Sequence, residues 1–387
     1  MDFARELVRT PSPNPPGDER AVAGLVRERM EALGYAGLRT LARAPERPNV
    51  AGSVGEGGRR LLLNAHLDTK PAGDEAAWET SPWDPVLRDG KLFGLGSSDM
   101  KAAVAALVYA GGALAAAGGL GGTLEVLLTA DEENGSKYGA EWLAPSGEVT
   151  ADAAVVCEPT GIRSAWDYVA VASRGFSAFV VTVRGTQMHS SLSDRVPSVN
   201  ASVKMARVLS RFADEFRPTY HPSPTIPGGP TVNLGVMVSG GVYWGIYPGE
   251  ASFGVDVRTV PGMSLEELQA DVASFLDRLR AEDSELDVTA QWREELPWFP
   301  GCAIDPGHLL VAAAQGAARD VLGREAPPGV MPAFTDGTHW SLAGIPCIPA
   351  FGPGLLTLAH RPNEWVAVQE ILEAARIYAL LVLRYLS

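Results

Sequence analysis

The chain has 387 residues, of which 46% are hydrophobic and 20% are charged, and its 46 acidic and 32 basic residues give a formal net charge of −14. At roughly 150 residues per domain, this length predicts two domains or one large domain with an insertion, and the apolar content excludes a disordered chain. The acidic balance excludes a nucleic-acid-binding protein, because that class needs a basic surface.

The first part of the chain alternates helical and strand-like patterns. Apolar residues at helical spacing predict a helix over residues 18–33, and short Val- and Leu-rich runs predict strands at 61–65, 124–130 and 153–157. Runs of this length without polar alternation are typical of strands buried on both faces. A further helix is predicted over residues 100–117. This alternation favours an α/β domain with a mostly parallel sheet flanked by helices.

One stretch of the first part is long enough to cross a bilayer, because no charged residue occurs from residue 102 to residue 124. It is mostly Ala and Gly, which favours a buried helix followed by a turn. The start of the chain contains acidic residues and lacks the apolar core of a signal peptide. Three cysteines without a CxxC pair argue against a disulfide framework. We therefore expect a cytoplasmic protein without a membrane partner.

The pattern changes near residue 168. A strand, a helix, two strands and a second helix follow one another at residues 177–185, 197–216, 231–238, 251–258 and 264–280. Ser264 before two glutamates is typical of the start of a helix. This order of elements suits a small two-layer α+β module.

The α/β pattern returns after about residue 290, with a helix at 308–322, a strand near 345–350 and a last helix at 364–386. We therefore predict one α/β domain, built from residues 1–167 and 287–387. A smaller domain of residues 168–286 is inserted in it.

Side chains able to bind a metal follow several of the apolar runs directly. They are His66 and Asp68 after 61–65, Asp131, Glu132 and Glu133 after 124–130, Glu158 after 153–157, and His360 after 355–359, while Asp99 opens the helix at 100–117. A single residue of this kind is usually a cap or a solvated residue, and the sequence DEENG at 131–135 alone would be an exposed acidic turn. Ligands of open α/β sheets bind beyond the carboxyl ends of the strands. The repetition therefore indicates one metal site.

Two spacings support this interpretation. A metal-bound imidazole needs its second nitrogen held, usually by a carboxylate, and His66-x-Asp68 suits that arrangement. Neighbouring side chains on a strand point to opposite faces, so Glu132 and Glu133 reach one site only from a loop. Two adjacent carboxylates repel unless one binds a metal and the other is free to take a proton from water.

The chain resembles the co-catalytic zinc metallopeptidases and deacylases, a family that includes acetylornithine deacetylase, succinyl-diaminopimelate desuccinylase, carboxypeptidase G and aminoacylase. The motifs that carry the resemblance occur in order along nearly the whole chain. They are LVRTPSPNPPGDE (7–19), NAHLDT (64–69), GLGSSDMK (94–101), TADEENGS (129–136), CEPT (157–160), RG…VRGTQMHSS (174–191), VDVRTVPGMS (255–264), FTDGTHW (334–340) and AHRPNEWV (359–366).

The resemblance implies a zinc-exopeptidase-like α/β domain with an inserted ferredoxin-like lid and dimerisation domain. It places His66, Asp99 and Glu158 around one divalent ion, and Glu133, His360 and the bridging Asp99 around a second. Zinc is expected at both positions, with cobalt or manganese able to replace it. In the same pattern Asp68 orients His66, Glu132 is the general base, and the peptide bond between Asp99 and Met100 is cis.

The resemblance also assigns substrate contacts. His189 matches the histidine that crosses a dimer interface to the reacting carbonyl. Arg258 matches the arginine that binds a substrate carboxylate, although a strand arginine paired with an acidic neighbour is an alternative. The pocket-lining positions are Asn200, Thr335, Asp336 and Gly337. The sequence departs from the family at Gly245 in GGVYWGIYPGE (240–250), where the family often has an asparagine.

The expected function is metal-dependent hydrolysis of an amide bond next to a free carboxylate by a homodimer. N-acyl amino acids are the favoured substrates, and short peptides, cleaved by a dipeptidase or carboxypeptidase, are the alternative. A non-catalytic dimeric metal-binding relative stays open as another class. A two-carboxylate glycosidase is disfavoured because it leaves His66, Asp99 and His360 without a function. We expect His221 and His308 to be structural, and leave His339 open.

Overall fold

In a computed structural model, which describes residues 1–223, 225–293 and 298–387, the chain divides by its internal packing into two units. The first contains residues 1–173, 302–331 and 335–387, and the second contains residues 174–301 and 332–334.

The elements follow the chain in this order. The α-helices are α1 (Asp2–Arg9), α2 (Arg20–Ala32), α3 (Ala102–Ala117), α4 (Ala140–Leu143), α5 (Ala201–Glu215), α6 (Leu265–Glu282), α7 (Leu309–Leu322), α8 (Gly337–Leu342) and α9 (Val368–Leu386). The strands of the first unit's part before residue 174 are β1 (Ala36–Ala42), β2 (Pro48–Val54), β3 (Arg60–His66), β4 (Val86–Arg88), β5 (Lys91–Phe93), β6 (Thr123–Thr129), β7 (Ala153–Val156), β8 (Pro159–Gly161) and β9 (Val169–Ser173). The remaining strands are β10 (Ser177–Arg184), β11 (Met188–His189), β12 (Thr231–Gly240), β13 (Ile246–Tyr247), β14 (Glu250–Arg258), β15 (Asp287–Trp292), β16 (Cys302–Ala303), β17 (Pro328–Met331), β18 (Cys347–Ile348), β19 (Gly352–Leu355) and β20 (Trp365–Ala367).

The first unit is built on a six-stranded sheet in the order β1-β2-β6-β3-β7-β18. The strands β6, β3, β7 and β18 run parallel, while β1 and β2 pair antiparallel at one edge. The predicted α/β fold with a mostly parallel sheet is confirmed. The antiparallel strands β1 and β2 were not predicted. The strand β1 is largely exposed, and β2 is buried but its sequence, PNVAGSV, contains no run of large apolar residues.

Both faces of this sheet are covered, as the apolar runs predicted. Leu61 and Leu63 lie in a core with residues of α1, α2, α3, α7 and α9, whereas Leu62 packs on the opposite face with residues of α4 and α8. Alternation of side chains along a strand places these neighbours on opposite faces. The parallel strands are therefore buried throughout, and their carboxyl ends meet at one edge.

The uncharged stretch forms α3, which is a core helix. Residues 97–117 are long and apolar enough to cross a membrane, but 72% of the apolar window is buried inside the fold. Two glycines allow the close packing of α3. A Cβ atom on Gly111 would lie 1.9 Å from the hydroxyl oxygen of Tyr35, and one on Gly112 would lie 2.9 Å from Cβ of Leu33.

The second unit contains a four-stranded antiparallel sheet in the order β12-β14-β10-β15. With α5 and α6 it has a βαββαβ order, in which the five predicted elements are followed by β15. Both helices pack their apolar residues on the sheet in one core. Ser264 begins α6 with a capping box to Glu267. Ser264 therefore caps this helix as its sequence position predicted.

The boundaries between the two packed units differ from the predicted domain boundaries. The predicted change at residue 287 falls at the start of β15, which pairs with β10 and so belongs to the second unit. The last helix begins at Val368 rather than at residue 364, because residues 365–367 form β20 and pair with β5. The assignment of the two parts as catalytic and lid domains stays a prediction.

The packing of α3 gives a test of the core. Replacement of Gly111 by alanine forces its methyl group into Tyr35, so we expect the free energy of unfolding to fall by about 1–3 kcal/mol in urea titrations. Gly24→Ala in α2 is the matched control, because a Cβ atom there meets nothing within 4 Å. The control should gain roughly 0.5–1 kcal/mol from the better helix propensity of alanine. Equal effects of the two substitutions would contradict this packing.

Candidate metal centre

Three neighbouring parallel strands carry most of the predicted site residues. His66 is the last residue of β3, Glu132 and Glu133 form a 3-10 turn after β6, and Glu158 follows β7 by two residues. Because β3 lies between β6 and β7, these side chains come from adjacent strand ends. The sheet order therefore explains why residues 66, 132, 133 and 158 meet.

Asp99 reaches the site from an irregular segment before α3. It has φ −124° and ψ 91°, and its peptide bond to Met100 is cis, as the resemblance implied. Asp99 therefore does not open the helix, which begins three residues later. The carboxylate of Glu364 holds this segment by accepting backbone N–H groups of Gly96, Ser98 and Asp99 at 3.0, 2.7 and 3.0 Å.

His360 follows a short turn rather than a strand. Only Leu355 of the predicted run 355–359 lies in a strand, and residues 356–358 form a 3-10 turn. His360 itself has φ +61°, a left-handed conformation that is uncommon outside glycine. This turn brings its imidazole to Asp99 and Glu133.

The distances join all five predicted ligands. His66 Nε2 lies 3.1 Å from Asp99 Oδ1 and 3.4 Å from Glu158 Oε1. His360 Nε2 lies 3.1 Å from Glu133 Oε2 and 3.4 Å from Asp99 Oδ2. The carboxylate of Asp99 thus contacts both imidazoles, one with each oxygen. These contacts match the grouping that the resemblance implies.

Glu132 also belongs to this cluster. Ligand atoms of His66, Glu132 and Glu158 lie within 4.8 Å of one another, as do those of His66, Asp99 and Glu133. Distance alone therefore leaves two roles open for Glu132, a ligand or a base beside the ligands. The left-handed conformation of Asp131, with φ +70°, starts the turn from which both glutamates reach the site.

The cluster carries an excess of negative charge. Burial lowers the pKa of the His66 imidazole, but Glu158, Asp68 and Asp99 outweigh that effect and hold the pKa well above its ordinary value. Burial opposes protonation of His360 as well, yet Asp99 and Glu133 raise its pKa to about 11.

The same charge excess acts on the carboxyl groups. Burial, with the nearby Asp99, raises the pKa of Glu158 to about 7, and burial with the nearby Glu158 raises that of Glu132 well above its ordinary value. Divalent cations would neutralise such a cluster, and imidazole and carboxylate groups are donors that suit zinc. The residues present therefore fit two metal ions.

Asp68 holds His66, but mainly through its backbone. Nδ1 of His66 lies 2.9 Å from the carbonyl oxygen of Asp68 and 3.5 Å from its carboxylate oxygen. The carboxylate instead accepts the backbone N–H groups of Glu132 and Glu133 at 3.2 and 3.1 Å. Asp68 thus joins the loop after β3 to the turn after β6.

Residues that the sequence reasoning did not assign also contact the ligands. Lys70 donates from Nζ to the carbonyl oxygen of Glu133, and its Nζ lies 3.5 Å from Glu133 Oε2. Glu364 is a second such residue, through its bonds to the segment of Asp99. Lys70 directly follows the motif NAHLDT, and Glu364 lies within the motif AHRPNEWV. These positions in motifs of the resemblance are the sequence signal by which both residues could have been found.

The predicted pocket residues of the first unit are buried and support β6. Asp336 accepts hydrogen bonds from Thr129 Oγ1 and Ser136 Oγ at 2.7 and 2.5 Å, and burial raises its pKa to about 6. Thr335 donates from Oγ1 to the carbonyl oxygen of Pro349 and accepts the N–H of Gly337. The geometry gives these side chains structural partners, and their contact with a substrate stays a prediction.

His189 lies in the second unit on a two-stranded ribbon. It pairs with Ile246, and its Nδ1 lies 2.8 Å from Ser191 Oγ, while the side chain is exposed. Gly245 stands beside it, with φ +82° and with its carbonyl oxygen accepting the N–H of Ser190 at 2.9 Å. The position that departs from the family is therefore a direct neighbour of the predicted carbonyl-binding histidine.

The two other predicted contacts of the second unit have local partners. Arg258 makes a two-point ion pair with Asp256, with both nitrogen–oxygen distances 3.0 Å, and its guanidinium lies over the ring of Phe176. Asn200 caps α5 by accepting the N–H of Val203 at 3.0 Å. The alternative of a strand arginine paired with an acidic neighbour is thus present, and both substrate contacts stay predictions. In the first unit His308 caps α7, as expected of a structural histidine.

Comparisons with known proteins agree with this architecture. A relative from Xanthobacter autotrophicus, a succinyl-diaminopimelate desuccinylase, is 31% identical over 394 residues, covering 100% of this chain and 99% of its own. One of the same name from Xanthomonas euvesicatoria is 30% identical over 384 residues, with coverage of 96% and 95%.

Solved structures share the fold at lower identity. An M20 family metallo-carboxypeptidase from Sulfolobus solfataricus has a TM-score of 0.78 at 19% identity, covering 100% of this chain and 98% of that one. A dinuclear metal-binding peptidase of the M20 family from Bacillus subtilis has a TM-score of 0.66 at 16% identity, with coverage of 99% and 96%. The model of Peptidase family M20/M25/M40 matches residues 62–384. The chain belongs to this peptidase family.

Proposed function

We propose that the protein is a metal-dependent hydrolase that removes the acyl group from an N-acyl amino acid, as a deacylase of the succinyl-diaminopimelate desuccinylase type. The observation that carries the proposal is the meeting of His66, Asp99, Glu133, Glu158 and His360 around one buried, negatively charged point, with Glu132 beside them. The names of the relatives that span the whole chain support the acyl amino acid class.

The chain's own residues divide the chemistry between them. Divalent ions at the cluster, zinc in our proposal, would polarise the substrate carbonyl and lower the pKa of water. Glu132 takes the proton from the attacking water and delivers it to the leaving amine. A carboxylate next to the ligands suits this role, because it can accept a proton from water and return it to the amine.

A homodimer completes the site in this proposal. His189 of the partner subunit would donate a hydrogen bond to the carbonyl oxygen as negative charge develops on it. A second copy of the chain is supported by β12, an outer strand of its sheet with Val236, Met237 and Val238 between 56% and 73% exposed. Unpaired strand edges with exposed apolar side chains are typical of surfaces that another chain covers.

Arg258 would bind the carboxylate of the substrate, which sets the distance from this anchor to the amide bond. A guanidinium binds a carboxylate through two parallel hydrogen bonds, and Arg258 already makes this geometry with Asp256. Short peptides share the amide beside a carboxylate, so a dipeptidase or carboxypeptidase is the second candidate. A solved metallo-carboxypeptidase with the same fold is the reason for retaining this second candidate.

The compartment in our proposal is the cytoplasm, where the free cysteines Cys157, Cys302 and Cys347 would stay reduced.

The role of Glu132 is tested by Glu132→Gln, which keeps the shape of the side chain but removes its basicity. We expect kcat to fall by about 10²–10⁴-fold while metal analysis still finds two ions per chain. Glu141→Gln, at an exposed position of α4, is the matched control and should behave as wild type. Loss of metal from Glu132→Gln would make Glu132 a ligand instead, and unchanged kcat would remove it from catalysis.

Removal of the metal tests the cluster itself. Without cations the carboxylates of Asp99, Glu133 and Glu158 repel one another, so dialysis against a chelator should lower both activity and the melting temperature. A cation at 100 times its Kd stabilises the folded state by about 2.7 kcal/mol. Addition of zinc should restore both quantities. A melting curve that does not change after confirmed metal loss would contradict the clustering.

The substrate class is tested with N-succinyl and N-acetyl amino acids, dipeptides, and an acyl amine that lacks the carboxylate. We expect turnover of acyl amino acids and none of the acyl amine without the carboxylate.

Arg258→Lys should raise KM by about tenfold, because lysine cannot make the two-point contact with the substrate carboxylate. Arg184→Lys is the control, since Arg184 is an exposed strand arginine near Glu250. Turnover of dipeptides alone would favour the second candidate.

A further inference from the structure

A group of buried polar side chains lies behind the metal centre and contains none of the proposed ligands. It consists of Asn14, Glu19, Arg47, Asp68 and Asp131, and each is at most 5% exposed. Three carboxyl groups and one guanidinium are expensive to bury unless each is paired and hydrogen-bonded. We call this group the outer cluster.

Asn14 separates two carboxylates of the outer cluster. Its side-chain amide donates one N–H to Asp68 Oδ2 at 2.8 Å and the other to Asp131 Oδ1 at 2.9 Å. An amide has two donors in one group, which is what two neighbouring carboxylates require, whereas an aspartate here would add a third like charge. The backbone N–H of Asn14 donates to the carbonyl oxygen of Thr69 at 2.7 Å, which fixes Asn14 next to Asp68.

Arg47 supplies the positive charge. Its Nε and Nη2 bind both oxygens of Glu19 at 2.7 and 2.8 Å, and Nη2 also reaches Asp131 Oδ1 at 2.9 Å. The guanidinium lies over the ring of Tyr138. It also packs directly on Gly17, where a Cβ atom would lie 2.3 Å from the guanidinium and φ is +80°. Glycine at position 17 is therefore required for this packing.

The outer cluster holds the turn of residues 131–134 at two points. Asp68 accepts the backbone N–H groups of Glu132 and Glu133, and its carbonyl oxygen holds His66. Asp131 precedes the two glutamates in a left-handed conformation that costs a non-glycine residue free energy. Its carboxylate is held by Asn14, Arg47 and the N–H of Tyr138. Bonds to the outer cluster thus support the conformation of the turn.

We propose that Asn14 and Arg47 are positioning residues of the metal centre. They fix Asp68 and Asp131, and through them the ring of His66 and the two glutamates of the turn, without touching substrate. Residues that hydrogen-bond to the groups around a metal orient the ligands and tune affinity. This inference rests on the proposed function, because it assigns supporting residues to the proposed metal centre.

The test measures zinc affinity of the folded full-length protein by competition with a chromophoric chelator. Loss of such supporting residues typically costs about 10–100-fold in metal affinity or activity, and we expect this rise in the Kd for zinc in Asn14→Ala. Arg47→Lys keeps the charge but loses the two-point contact, so its Kd should rise as well. Arg20→Lys is the matched control, since Arg20 makes the same two-point pair with Asp18 on the surface, and its Kd should not change.

Kinetics separate positioning from a merely structural role. With zinc in excess, we expect a lower kcat and an unchanged KM in Asn14→Ala and Arg47→Lys, because neither residue contacts substrate. Variants that melt at lower temperature but keep the wild-type Kd for zinc and the wild-type kcat would overturn the inference. If Asn14→Ala does not fold, the same readouts in Arg47→Lys decide. Failure of the wild-type chain to bind zinc would instead overturn the proposed function and this inference with it.

Discussion

Four buried carboxylates, those of Asp99, Glu132, Glu133 and Glu158, surround the imidazole of His66 at the carboxyl end of the central sheet. Like charges at this distance in a poorly hydrated place are unfavourable, and the folded chain keeps them there only by extensive hydrogen bonding. The sheet supplies the proximity, since three of the four follow adjacent parallel strands. The two imidazoles, whose pKa values are raised, and the nearby Lys70 offset part of this charge, and divalent cations would bind the same imidazole and carboxylate donors. The grouping of these donors therefore indicates metal ions more strongly than any single residue does.

The supporting hydrogen bonds come from parts of the chain that are remote in sequence. Glu364 accepts three N–H groups of the segment that carries Asp99, and burial raises the pKa of its carboxyl group to about 8. Asn14 and Arg47 reach the turn of residues 131–133 from the other side. The segments that carry Asp99 and residues 131–133 are thus irregular where they meet the site, and both are stabilised by hydrogen bonds to buried polar side chains.

Much of this could be predicted from the sequence, because the central strands are buried on both faces. The predicted runs 61–65, 124–130 and 153–157 agree with β3, β6 and β7 to within one residue at each end, and the residues after them were recognisable as a site. The conformation of Asp99 and the turn before His360 could not be predicted in this way. The segment of Asp99 is held by Glu364, 265 residues away, and the turn before His360 begins at Leu355, which exchanges two hydrogen bonds with Ser98, 257 residues away. No local pattern encodes these contacts.

The proline-rich segment of residues 11–19 is a second example of contacts that the sequence alone does not predict. This segment carries part of the resemblance, yet the hydrogen bonds of its side chains could not be predicted from the sequence. Asn14 binds Asp131, which is 117 positions away, and Glu19 binds Arg47, which is 28 positions away. The structure explains three of its residues. Gly17 leaves room for the guanidinium of Arg47, Glu19 pairs with it, and Asn14 binds the two aspartates. A motif that contributes no proposed metal ligand can thus still support the site, because its side chains pair with buried charged groups next to the ligands.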